Sequence, residues 1–209
     1  MRIPRNTKAS NVLLLTGSRF TYRIMTNQSN RRPATVLTAL ATTAAAGAAY
    51  LYLRRKNYAP LPTVAHVELA RYLGRWYEVA RLPVPFEKNC EHVTAEYSQR
   101  ADGKIQVLNT CHKGDVNGPV KQATATARAV DATNAKLKVQ FFWPFEGNYW
   151  ILDLDQVDYQ YALVGEPSRK SLWLLSRQPQ LTLDVQRRLI DRARDLGFPV
   201  EKLIFTPQP

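Results

Sequence analysis

From Gly74 onward the chain follows a two-residue rhythm. Val93, Ala95 and Tyr97 alternate with Thr94, Glu96 and Ser98. Ala123, Ala125, Ala127 and Ala129 alternate with threonine and arginine, and Leu137, Val139 and Phe141 keep the same step. Such alternation marks strands with one buried face. The pattern predicts eight strands: Gly74–Leu82, His92–Arg100, Lys104–His112, Val120–Val130, the stretch 137–141, Tyr149–Asp155, Tyr159–Gly165 and Leu172–Arg177. Asp102-Gly103 supplies a hairpin turn and residues 131–134 another. Pro83–Glu91 is the one long connection, between the first two strands.

The rhythm then changes once. Val185, Leu189, Ala193 and Leu196 fall at helical spacing, with Thr182 placed to cap the helix, Gly197 to stop it and Pro199 to prevent its continuation. Lys202–Thr206 reads as a short extra edge strand. Eight meandering strands and one amphipathic helix predict a closed, up-and-down antiparallel β-barrel, which leaves no exposed sheet edge. A barrel of eight strands either fills with side chains or encloses one small ligand. The alanines of the fourth strand favour an interior with room left over.

Upstream of the barrel the character is different. Residues 1–32 hold no acidic residue and no apolar period, which reads as a basic disordered or targeting segment, with Met25 an alternative start. Pro33–Leu53 runs for 21 residues without a charge between Arg31-Arg32 and Arg54-Arg55-Lys56, long enough to cross a bilayer as a helix. Tyr50 and Tyr52 sit where an interfacial aromatic belt would lie. The competing readings are a cleaved signal peptide and an Arg-rich mitochondrial presequence. Residues 54–65, with Pro60 and Pro62, read as an extended linker before a domain over 66–209.

Charge distribution removes one function class. The net charge is +12, but ten Lys and Arg precede the first acid, Glu68. The remaining nineteen basic residues face all 17 acids and leave the barrel at +2, so no nucleic-acid partner is expected. Two cysteines and three histidines without ligand spacing predict no metal site, and no cofactor is expected. No catalytic constellation is present, and nothing in the pattern specifies an oligomer.

Three short motifs then carry a resemblance. Gly74-x-Trp76 followed by Tyr-Glu-Val-Ala-Arg, Asp158-Tyr159 behind Val157, and Leu174-Leu175-Ser176-Arg177 occur in the order in which they occur in lipocalins. Over roughly residues 64–209 the chain resembles the bacterial lipocalin group related to apolipoprotein D, although Val157 replaces that family's usual threonine. The resemblance implies that Gly74, Trp76, Asp158, Tyr159 and Arg177 are structural, with Arg177 packed over Trp76 at the closed end. It moves Trp76 from an ordinary core tryptophan to the floor of a ligand cavity.

With Trp76 set inside, strand parity assigns a lining of Val93, Ala95, Tyr97, Ile105, Val107, Asn109, Ala125, Ala127, Val139, Phe141, Tyr149, Trp173 and Leu175. This mainly apolar set suits an amphipathic ligand, a fatty acid or lysophospholipid. Trp143 and Phe145 fall on a loop at the open mouth, as membrane contacts or as a partial lid. Cys90 and Cys111 both lie near that mouth. A disulfide is the leading reading, because a translocated domain meets an oxidising compartment. Hairpin arithmetic sets Cys111 opposite position 94, so Cys90 has to curl back over the rim. The alternative is a reactive luminal Cys111, since the wider family includes an enzyme of that kind, but His112 faces outward and supplies no base. The reading is a non-enzymatic carrier in the cell envelope, anchored to a membrane, with the outer membrane one possible location. A luminal-cysteine enzyme and a structural or stress-protection protein are its rivals.

Overall fold

Nine strands form one sheet, and eight of them close it into a barrel. In the computed structural model, which describes residues 58–209, the sheet order is β2-β3-β4-β5-β6-β7-β8-β1-β9, with β1 also paired to β2. The strands are β1 Gly74–Arg81, β2 Cys90–Gln99, β3 Ile105–Lys113, β4 Val120–Ala129, β5 Lys136–Phe142, β6 Phe145–Leu154, β7 Tyr161–Gly165, β8 Leu172–Ser176 and β9 Ile204–Phe205. Helix α1 is a single turn, Leu69–Tyr72, and α2 spans Leu183–Asp195. All pairings are antiparallel. The basic segment 1–32, the apolar segment 33–53 and the first linker residues lie outside the described residues. Among those described, no helix is long and apolar enough to cross a membrane.

The two faces of the sheet build two cores. Inside the barrel, Trp76, Tyr97, Ile105, Val107, Ala125, Ala127, Leu137, Ile151 and Leu175 pack together with Val67 and Tyr72 of the entering segment. Outside it, α2 lays Leu189 and Ala193 over Val79, Ala80, Leu152, Leu163, Leu172 and Leu174. The helix ends as its sequence requires. Gly197 takes φ +83°, and Phe198 N–H bonds the Ala193 carbonyl. Thr182 occupies the N-cap position, but its side chain makes no capping bond; its carbonyl accepts from Gln186 N–H instead. Phe198 then packs so closely on Gly165 that an added Cβ would stand 2.7 Å from its ring.

The segment expected as a linker is tied to the barrel from Ala59 onward. Arg169 donates to the carbonyls of Ala59 and Pro60 at 2.7 and 2.9 Å, Leu61 is buried, and Val64 N–H bonds the Ile151 carbonyl.

The closed end is organised by one stacked pair. The Arg177 guanidinium carbon lies 3.9 Å from the centroid of the Trp76 ring. Its Nη1 and Nη2 donate to the carbonyls of Arg75 and Arg71 at 2.8 and 2.7 Å, and its Nε to that of Tyr159 at 3.3 Å. Gly74, at φ +89°, explains its own identity: a Cβ there would meet Arg177 Nη1 at 3.4 Å in a backbone conformation that side chains rarely adopt. Trp76 completes the seal by donating from its indole nitrogen to the Tyr72 carbonyl at 2.8 Å. The turn before Tyr159 differs from expectation. Asp158 is exposed, and the carboxylate that orders the turn belongs to Asp155, which accepts from the N–H groups of Val157 and Gln160.

Trp76 has no exposed surface, so truncation should leave a cavity under the arginine. Trp76→Ala is expected to lower unfolding free energy by about 3–5 kcal/mol in denaturant melts. An unchanged midpoint would contradict the role of this ring as the floor.

Candidate functional site: the barrel interior and its rim

Register places the lining in rows. Residues directly opposite one another share a face, so Trp76, Ala95, Asn109 and Ala123 form one row around the wall, and Ile105, Ala127, Val139 and Gly147 another. Tyr97, Val107 and Ala125 form a third. Ala95, Val139, Tyr149 and Trp173 pack against the interior cluster yet are only half-buried. Val93 is buried separately, with the two cysteines.

Phe141 departs from its assigned side. The β5–β6 register shifts between Val139 and Phe142, which breaks the alternation there, and Phe141 is left 41% exposed, outside the interior cluster.

Above the Trp76 floor stand three linked phenols. The Tyr149 hydroxyl lies 2.8 Å from that of Tyr72 and 2.9 Å from that of Tyr97. The Tyr72 ring also packs 4.9 Å from Trp76. Burial pushes Tyr97 up to about 12 and Tyr72 and Tyr149 well above the ordinary phenol value, so all three stay neutral and serve as hydrogen-bonding surface. Tyr97 and Tyr149 were legible by parity. Tyr72 was not, because it enters from the helical lead-in. Higher on the wall, the Asn109 side-chain oxygen is buried with no hydrogen-bond partner among the described residues.

Near the mouth the wall becomes ionic, which parity failed to reveal. Glu78 and Arg81 of β1 are each 3% exposed, and Glu87, on a 3₁₀ turn in the β1–β2 connection, is 9% exposed. Arg81 Nε lies 3.0 Å from Glu87 Oε2 and 3.6 Å from Glu78 Oε1. The Trp173 indole donates to Glu87 Oε2 at 3.3 Å, and the Thr206 hydroxyl donates to Glu78 Oε1. Desolvation raises Glu78 to about 8 and also raises Glu87, because two buried carboxyls share one cation. Glu78 could have been found, since it stands two residues from Trp76. Arg81 could not, because the β1–β8 register shifts between Glu78 and Ala80 and turns it inward.

The rim is stitched by the C-terminal segment. β9 pairs with Ala80 and Arg81, Thr206 N–H bonds the Val79 carbonyl, and His92 N–H bonds the Pro207 carbonyl. Gln208 Nε2 spans from the Glu78 carbonyl to that of Val93. Cys90 and Cys111 form a disulfide with α-carbons 5.4 Å apart. They are not directly opposed, since Cys90 faces Lys113. A bulge between Glu91 and Thr94, with His92 at φ +43°, supplies the curl that brings the sulfurs together.

Beside the mouth, β5 and β6 meet in a tight turn at a cis Trp143–Pro144 peptide, so Phe145 opens β6 instead of lying in a longer loop. Phe142, Trp143 and Phe145 are 68%, 84% and 68% exposed. Among the described residues, no group of three or more His, Cys, Asp or Glu has metal-binding geometry.

Comparison with known proteins places this arrangement. A family profile described as a lipocalin-like domain matches residues 67–208. The chain is 41% identical to outer membrane lipoprotein Blc of Escherichia coli strain K12 over 170 residues, 79% of this chain and 95% of that protein. It is 32% identical to apolipoprotein D of Bos taurus over 155 residues, 70% of this chain and 80% of the relative. In structure it resembles insecticyanin of Manduca sexta, with TM-score 0.59 at 21% identity over 73% of this chain and 87% of that one.

The buried carboxyls make stability pH-dependent. Glu78 and Glu87 hold their protons more tightly in the folded chain, so above the ordinary value of 4.5 the folded state binds more protons than the unfolded one. Their contribution therefore falls as pH rises, until Glu78 ionises near 8, with a limiting slope of about 1.4 kcal/mol per pH unit for one group. Thermal melts between pH 5 and 8 should show a flatter profile for Glu78→Gln than for the unaltered chain. Parallel profiles would contradict the assignment.

Proposed function

This chain belongs to the lipocalin family, and on that premise we propose that its barrel binds and carries a fatty acid or lysophospholipid at the cell-envelope membrane. The gradient of the interior supports this reading best. A sealed aromatic floor gives way to a half-buried wall of small and apolar side chains, and then to a charged rim. That sequence of surfaces fits an amphiphile lying tail-down, with its apolar length against the half-buried Ala95, Val139 and Trp173 and its head near the mouth.

Membrane contact follows from the same orientation. Phe142, Trp143 and Phe145 project beside the opening, and exposed aromatic tips suit the lipid–water interface. The relative Blc is named an outer membrane lipoprotein. In this chain both cysteines are joined in the barrel, so the apolar segment 33–53, as anchor or signal, is the element that would bring the barrel to a membrane. A carrier also fits the disulfide better than an enzyme does, because the Cys111 sulfur is occupied by Cys90.

Purified full chain should yield stoichiometric fatty acid or lysophospholipid on organic extraction and mass spectrometry. Absence of any extractable amphiphile would favour the structural or stress-protection role. In the barrel unit, residues 57–209, replacing Trp143 and Phe145 together by serine should reduce co-sedimentation with phospholipid vesicles. Unchanged sedimentation would remove the membrane contact from the proposal.

A further inference from the structure

Arg81 is placed as few arginines are. It is 3% exposed, and its Nη1 is buried without a hydrogen-bond partner among the described residues. Its other contacts go largely to one short element, the turn Pro85–Glu87. Nη2 donates to the Glu87 carbonyl at 2.6 Å and Nε faces Glu87 Oε2 at 3.0 Å. A buried guanidinium needs anionic oxygen, and an unfilled buried donor is costly.

The surroundings give that need a direction. Between the β1–β2 connection and the C-terminal strand lies a groove of about 590 Å³, walled by Val84, Pro85, Lys88, Ile204 and Phe205, with Arg81 its least exposed lining residue. The groove therefore runs from a largely apolar edge, where Lys88 and Glu91 offset each other, to a guanidinium with spare donors. Glu87 reaches that guanidinium from a single turn whose neighbour, Phe86, is 56% exposed. It is held by these side-chain contacts and one turn bond, Glu87 N–H to the Val84 carbonyl, and by no sheet ladder.

We propose that Arg81 is the head-group receptor of the barrel, taking the anionic oxygens of an amphiphile, a carboxylate or a phosphate monoester, in exchange for the Glu87 carboxylate that holds it in this structure. The assignment rests on the carrier reading above. Charge supports the exchange. Burial raises both carboxyls, so the site holds less negative charge than two ionised acids would, and Arg81 Nε stands nearer to Glu87, at 3.0 Å, than to Glu78, at 3.6 Å. One anion replacing another leaves the net charge of the buried site unchanged, with Glu87 swung out to water. Trp173, released from Glu87, becomes an apolar wall and an indole donor for the incoming head.

The test uses full-length protein in a maltoside detergent, read by energy transfer from tryptophan to cis-parinaric acid and to its uncharged methyl ester, with oleoyl lysophosphatidate as a competitor. Glu87→Gln removes the built-in anion and should tighten parinaric acid several-fold while leaving the ester within about twofold. A gain in affinity cannot arise from misfolding. Arg81→Gln should weaken the acid about tenfold more than the ester, the scale expected when one partner of a buried charge pair is lost. Tightening of parinaric acid alone assigns the site to fatty carboxylates, and tightening of lysophosphatidate as well extends it to phosphate heads. Unchanged or weaker acid binding by Glu87→Gln, or equal losses of acid and ester in Arg81→Gln, would overturn the assignment and leave the carrier reading standing. Failure of the unaltered chain to bind either probe would remove the carrier reading itself, and the assignment with it.

Discussion

The stack of Arg177 on Trp76 is the contact on which the rest of this barrel depends. A cation over an indole face is a modest interaction on its own. Here the same guanidinium also collects three carbonyls, from Arg71, Arg75 and Tyr159. It thereby joins the helical lead-in, the first strand and the turn before the seventh. Those elements are far apart in sequence, and without a shared partner the closed end would present unpaired carbonyls around a large ring. The position of Gly74 follows from this crowding, as does the burial of Tyr72, whose carbonyl accepts from Trp76. Everything above the stack inherits a fixed base.

From that base upward, the interior changes in kind. Neutral phenols bonded to one another occupy the lower part, where burial suppresses ionisation. Alanines and valines line the middle. At the rim, two carboxyls and one guanidinium sit in surroundings with little water, and burial raises both carboxyls above their ordinary value. An amphipathic cargo has the same order of surfaces along its length, so the barrel matches it by layers and not by a single specific contact.

What the sequence disclosed, and what it did not, follows from the same geometry. Strand parity located Tyr97, Val107, Ala125, Ala127 and Leu175 inside, because regular pleating preserves alternation over a whole strand. It failed wherever the ladder slips by a residue. The shift in β1 turned Arg81 inward, and the shift in β5 left Phe141 outside the interior cluster. Bulges carry no composition signature of their own, so neither event could be read from residue types. The disulfide shows the converse: hairpin arithmetic set the cysteines out of line, and a bulge at His92 repaired the mismatch. Glu87 lay beyond reach for a different reason, since a loop residue has no period from which to infer its direction. The motifs were legible because they encode the Arg177–Trp76 contact itself.

The stitched rim has a consequence for local stability. Below Tyr77 the first and second strands pair directly, whereas above it the gap between them is bridged by residues 204–208. That bridge consists of a two-residue strand and a few isolated bonds from Thr206, Pro207 and Gln208, with Ile204 and Phe205 partly open to solvent. Segments with so few ladder bonds open at low free energy while their neighbours stay folded. Fraying there would unzip the barrel sideways, from the mouth down to the first row of β1–β2 pairs, and leave the base intact. The opening would then be a slit along one wall as well as a hole at the top.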